Sequence, residues 1–350
     1  MVFYPETLWF LKDFATVRFA KTMEVSPQAP AECKNPDGSV KATCTTHTLT
    51  WSNRPNMSAL GFGSPGAMTY EQTRPVPVEA VVALANAAGV APWISVPPHA
   101  SNDYLEGLAA YLKANVPANK QIALELGSET WNAHYLAAHY LRAAGLARGY
   151  GGGDATRAGN EYYVRRSLEM FGIFERVFGA ETPSRLYRML NGDHRNLALT
   201  QELLGYTPAG KVDGFGIAPY FYGCYKPVWP QACTDRALTP FTYFTATTVD
   251  QVFAMINNPQ DPFGLDALFA NVTAQANAVQ ARGLDLVMYE GGQSLRPFMV
   301  DVGDAAQNQE LRARLTPLFT NANRDPKMAT LYTAFLERWR AVGGVRPVHR

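Results

Sequence analysis

This sequence has little excess of charge. Its 31 Lys and Arg face 30 Asp and Glu, for a net charge of +1, so nothing in the balance points to nucleic acid, a membrane surface or a polyanionic partner. It has no apolar run long enough to cross a bilayer. The opening "MVFYPETLWFLKDF" lacks the basic region, apolar core and cleavage site of a signal peptide. No Gly-rich phosphate loop follows any strand-like segment, which argues against a nucleotide site. Histidine is scarce, and only His99 and His194 fall near strand ends, too few ligands for a metal-dependent hydrolase. No cofactor is expected. Internal repeats and low-complexity linkers are absent too. Cysteine occurs four times, as two local pairs, Cys33 with Cys44 and Cys224 with Cys233. Neither pair has zinc-finger spacing. Two loop-stapling disulfides are expected, and with them an oxidising compartment.

What the sequence does have is alternation. Strand-like "ATVRFAK" (15–21), "APWISVPP" (91–98), "QIALELG" (121–127), "RLYRMLNG" (185–192), "VDGFGIAPYFY" (212–222) and "LDLVMYEGG" (284–292) are separated by helical patterns at 77–89, 101–116, 133–149, 160–179 and 265–283. A last helix is predicted over 328–344. A Ser101 or Asp103 cap opens the second of these helices. Such alternation means parallel strands with right-handed crossovers. The strands are apolar on both faces, as a sheet covered on both sides requires. A doubly wound open sheet and an eight-stranded (β/α) barrel both fit. The longest irregular stretches, 22–75 and 223–250, follow strands, where a barrel keeps its active site. The expected fold is therefore an α/β (β/α)8 TIM barrel, residues 1–350 forming a single catalytic domain.

Two glutamates then stand out. Glu129 follows "ALELGS" and Glu290 follows "LVMY". Either one alone reads equally well as a capping or ion-paired residue. Together, at the ends of two strands and among aromatics, they form the paired carboxylates that glycoside hydrolysis requires, one protonated and one ionised.

The stretch "APWISVPPHASNDYLEGLAAYL…IALELGSETWNAHY" resembles a family of secreted (β/α)8 proteins, often called cellulose-binding or glycoside-hydrolase-like. Its members carry a "PW-x-N-I-P-H" strand, a "D-D-Y" helix start and an "E-Y-S-N-E-V-W-N" strand end. The resemblance continues in "VRFAKTMEV", "WSNRP", "GIAPYF" and "YEGGQSL" and covers most of residues 8 to 295. It places the chain near the clan A retaining β-glycosidases. If "TVRFA" is the second barrel strand, Glu129 follows the fourth and Glu290 the seventh, where that clan keeps its acid/base and its nucleophile. The count leaves no first strand, and "VRPVHR" makes a poor eighth, so the barrel is expected to be incomplete at both.

The resemblance implies Glu129 as acid/base and Glu290 as nucleophile, about 5–5.5 Å apart in a retaining enzyme. It implies that Arg18 and Tyr220 bond the nucleophile, and that His194 orients substrate or acid/base. The family's Asn, which bonds the sugar 2-hydroxyl, is replaced by Ser128. His99 and Asn132 are further candidates for substrate binding. Trp93, Trp131, Tyr222, Tyr225 and Trp229, at or just after strand ends, are expected to stack on sugar rings. Trp51 and Arg54 of "WSNRP" are expected to anchor the long loop. The expected protein is a secreted or periplasmic, monomeric, endo-acting retaining hydrolase of a β-glucan or related polysaccharide, its signal sequence removed. The alternative is a carbohydrate-binding barrel without catalysis.

Overall fold

The computed structural model describes residues 3–23, 33–36, 40–41, 44, 48–58, 76–226 and 231–345. Most of the long loop over 22–75, and Trp229, lie outside the described residues.

The chain runs α1 (Pro5–Leu11), β1 (Thr16–Arg18), α2 (Val78–Ala88), β2 (Ala91–Val96), α3 (Asn102–Asn115), β3 (Ile122–Leu126), α4 (Leu136–Leu146), α5 (Ala155–Phe178), a single turn α6 (Thr182–Arg185) and β4 (Leu186–Asn191). It continues with α7 (Leu197–Gly205), β5 (Gly214–Ile217), β6 (Tyr220–Phe221), α8 (Val249–Ile256), α9 (Leu265–Gln280), β7 (Asp285–Met288), β8 (Gly292–Gln293), α10 (Ala305–Arg324), α11 (Pro326–Ala341) and β9 (Gly344–Val345). The main sheet is parallel and curled, in the order β1-β2-β3-β4-β5-β7-β9. Its last member contributes two residues, Gly344 opposite Leu286 and Val345 opposite Val287. Among the described residues no ladder joins β9 to β1. The sheet is thus a partial barrel, and full closure is not seen.

Local chemistry sets the boundaries. Ser101 caps α3 by accepting the Tyr104 N–H at 3.1 Å, the first of the two expected caps. Thr248 and Gln251 form a reciprocal capping box at the start of α8. Prolines 97 and 98 end the fully buried β2. "WSNRP" is anchored as expected. Arg54 lies 3.6 Å from the Trp51 ring centre and pairs with Glu79 of α2 at 2.5 Å. The Trp51 ring covers Gly107 of α3 so closely that a Cβ there would meet it at 2.3 Å.

Period-two alternation sorts the strand residues into two cores. Ile122, Leu124 and Leu126 face the large core shared with the helices. Trp93, Ala123, Tyr187, Met189, Val287 and Tyr289 form a separate core on the inner face. Space there is tight. A Cβ on Gly214 would meet the Tyr187 hydroxyl at 2.6 Å, so β5 is small where its neighbours are aromatic.

The segment read as one strand over 212–222 is two. The chain leaves the main sheet at Ala218 and Pro219 and continues as β6, which pairs in parallel with β8 in a separate two-stranded sheet. The Gly292 N–H donates to the Pro219 carbonyl at 3.0 Å, and the Ser294 N–H to Phe221 at 2.9 Å. This offset carries Tyr220 alongside Glu290. Helices α7, α8 and α10 were not expected. In α10, Pro317 reads as a break, but it is exposed within a continuous helix whose Leu315, Leu318 and Phe319 are buried.

Both expected disulfides are present, Cys33–Cys44 and Cys224–Cys233. Among the described residues no helix is long and apolar enough to cross a membrane.

Candidate active site

Arg18 ends β1 and organises the inner face. Its Nε donates to Glu125 Oε1 at 2.7 Å, one terminal nitrogen to Glu290 Oε1 at 2.9 Å, and the other to Ser128 Oγ at 3.0 Å. The guanidinium lies between the Tyr289 ring, 4.8 Å away, and the Trp93 ring, 5.5 Å away. Burial works against the Arg18 charge, but Glu125 and then Glu290 outweigh it and raise its proton affinity.

Glu290 is held from its other side by Tyr220, whose hydroxyl donates to Oε2 at 2.5 Å. Burial, with the Glu290 charge second, pushes that hydroxyl far above its ordinary pKa. It therefore stays protonated and keeps donating. A carboxylate receiving one guanidinium and one hydroxyl bond has its ionised form stabilised and its direction fixed.

Glu129 occupies a different environment. Its φ is +48°, the one positive value at a non-glycine among the described residues, directly after Gly127 (φ +68°) and Ser128. A left-handed residue that is not Gly, Asn or Asp is costly and marks a conformation imposed by its surroundings. The Asn132 side chain donates to Glu129 Oε2 at 2.7 Å, and its backbone N–H to the Glu129 carbonyl at 2.9 Å. Burial raises the Glu129 pKa above its ordinary value. The Asn132 bond opposes this, the Glu290 charge adds to it, and Lys21 and Arg18 oppose it. One carboxyl is therefore biased toward its proton, while the other accepts from a guanidinium and a hydroxyl.

Sequence reasoning missed Glu125. It has no exposed surface. It accepts from Arg18, from the Ser95 hydroxyl, and from Asn191 Nδ2 at 3.1 Å. The signal was present: in "IALEL" the glutamate falls on the face opposite Ile122, Leu124 and Leu126, two residues beyond Ala123. An acidic residue on the inner face of a buried strand needs partners.

The structure brings Arg18, Ser128, Glu129, Asn132, Tyr220 and Glu290 together. Trp93 joins them through its contact with Arg18. His99 is buried edge-on to Tyr140, 6.1 Å between ring centres. With Tyr150, Tyr162, Arg148 and Arg166 it lines a cavity of about 370 Å³ to which neither glutamate contributes. His194 is buried beside Asp193, 3.6 Å away. Burial pushes its pKa down to about 4, against the pull of Asp193, so the ring is neutral at ordinary pH. Trp93 is buried against Arg18. Tyr222 and Tyr225 pack on Phe263, with ring centres at 5.1 and 5.3 Å, and Trp131 packs half-buried against the large core. Trp93 and Tyr222 are thereby buried, while Trp131 and Tyr225 keep part of their surface exposed. Among the described residues no group of three or more His, Cys, Asp and Glu side chains is arranged to hold a metal ion.

No protein-family model matches this chain, and no curated protein is similar to it.

Proposed function

We propose that the chain is a retaining β-glycoside hydrolase built on a (β/α)8-type barrel, secreted and endo-acting on a β-glucan or related polysaccharide. The observation that carries this reading is the asymmetry of the two glutamates: Glu290 accepting from Arg18 and from Tyr220, and Glu129 desolvated on a left-handed turn with its pKa raised. Glu290 attacks the anomeric carbon while Glu129 gives its proton to the departing glycosidic oxygen, leaving a glycosyl ester on Glu290 and Glu129 ionised. Water then attacks the same carbon. Glu129 takes its proton, the ester bond breaks, and both carboxyls return to their starting states with the anomeric configuration retained. Arg18 and Tyr220 bear on the oxygens of Glu290, whose charge is lost and regained in each cycle.

A second reading, a sugar-binding barrel without catalysis, is favoured by Ser128. It replaces the family's Asn, and its hydroxyl is engaged by Arg18. Reducing-sugar release from β-glucans, xylan, mannan and chitosan separates the two, with wild type run beside Glu129→Gln and Glu290→Gln. Release by wild type that both variants lose supports hydrolysis. Binding without release in all three proteins overturns it in favour of the second reading.

A further inference from the structure

Two cations stand near the glutamate pair. Lys21, just beyond β1, places Nζ 5.3 Å from the ring centre of Tyr135, whose N–H donates to the Asn132 carbonyl at 3.0 Å in the turn that carries Glu129. Lys21 is near enough to oppose the rise in the Glu129 pKa. Arg296, just beyond β8, holds its guanidinium 5.5 Å from the ring of Tyr220, the residue bonded to Glu290, and 5.9 Å from the ring of Phe298. Both cations thus stand beside rings that adjoin the glutamate pair, and the Arg296 charge is felt at Tyr135 as well as at Tyr220. Both side chains are exposed.

The carboxylate pairs at this site belong to Arg18, with Glu125 and Glu290, and among the described residues no carboxylate pairs with Lys21 or Arg296. The rings beneath them hold the cations in place without neutralising them. Among the described residues Lys21 and Arg296 thus bring two exposed positive charges close to the glutamate pair. The chain as a whole is balanced at +1, so this is a local departure from the average rather than a basic surface.

We propose that the glycan taken by this site bears acidic groups, carboxylate or sulfate, received by Lys21 and Arg296 close to the bond that is attacked. The proposal rests on the glycosidase reading and names its substrate class. Arg296 offers a planar fork suited to a two-oxygen anion, and Lys21 a movable point charge. Phe298, 64% exposed beside Arg296, offers a flat face to the ring that carries the anion.

The test is calorimetric binding to the full chain bearing Glu129→Gln, which blocks turnover and mimics the neutral acid. The probes share one skeleton: cellohexaose, its C6-oxidised form with carboxylates, and its 6-O-sulfated form. Xylohexaose and a glucuronate-bearing xylan fragment form a second series. The expected result is tighter binding of an acidic member over its neutral parent by about tenfold or more, weakening as salt rises from about 50 to 500 mM. Adding Lys21→Gln or Arg296→Gln should each erase about tenfold of that preference, with Arg296→Lys restoring part of it. The oxidised and sulfated arms tell carboxylate from sulfate. Equal or better binding of the neutral parents, or a preference untouched by either charge variant, overturns the proposal while leaving the glycosidase reading intact if sugar is released in the assay above. A chain that binds no glycan and releases no sugar fails at the earlier reading, and this one falls with it.

Discussion

Nε of Arg18 lies 2.7 Å from Oε1 of Glu125, a carboxylate with no exposed surface. That pair fixes the guanidinium from below, so its two remaining nitrogens reach Ser128 and Glu290. Glu125→Ala should lower the unfolding free energy by about 3–5 kcal/mol, because it leaves a buried charge without its partner; urea denaturation measures this. Glu125→Gln keeps the volume but frees Arg18 from its anchor. Its stability loss should be smaller, while sugar release falls about tenfold or more. A Gln variant with full turnover would make the pair purely structural.

The Tyr220 hydroxyl reaches Glu290 across the β6–β8 offset. Tyr220→Phe removes one charged hydrogen bond and little volume. Such a bond contributes about 1.5–3 kcal/mol, so kcat should fall roughly 10- to 100-fold with melting temperature nearly unchanged. Parallel kinetics and thermal melts check this, and a kcat within twofold of wild type would remove Tyr220 from the mechanism.

The raised pKa of Glu129 comes first from burial and in part from the negative charge on Glu290. Glu290→Gln deletes that charge. The Glu129 carboxyl should then titrate at lower pH than in wild type, visible by ¹³C NMR of the labelled carboxyl even though turnover is lost. The residual elevation in the variant is what burial contributes over the opposing Asn132, Lys21 and Arg18. An unmoved titration would mean that the two carboxyls do not sense each other.

Asp261 predicts a pH-dependent stability. Burial pushes its pKa up to about 6 from the ordinary 3.8, against the N–H bonds it accepts from Phe263 at 2.8 Å and Cys224 at 3.1 Å. The folded state therefore holds this proton more tightly than the unfolded chain does. Its stabilising effect is complete below about pH 4 and is lost as pH rises through about 6, a change of roughly 2–3 kcal/mol. Denaturation at a series of pH values should show this slope in wild type and a flatter one in Asp261→Asn.

Much of the architecture could be read from the sequence because single residues announce it. The proline-ended run at 91–98, the Ser101 cap and the paired cysteines each have a local physical cause. Glu129 and Glu290 could be found because strand ends are where carboxylates have access to a ligand. Glu125 was hidden inside an apolar strand whose hydrophobic count outweighed its alternation. Tyr222 and Tyr225 have the composition of sugar platforms, and their shared packing on Phe263, far along the chain, has no local signal. His99 follows the right strand, but its side chain goes to another cavity. The break at Ala218 and Pro219 depends on pairing with Gly292 and Gln293, a contact that no local pattern encodes.

Arg18 belongs to a three-residue strand paired, among the described residues, with β2 alone. Strands held from one side open before the interior of a sheet does. The order in which this molecule fails on heating follows. Once β1 frays, Glu290 loses its guanidinium while β2, β3 and β4 still hold together. Half-inactivation should therefore come at a lower temperature than loss of the far-ultraviolet dichroism signal, and a pulse of heat between the two should leave a protein that keeps its secondary structure, has lost its chemistry, and regains it on cooling.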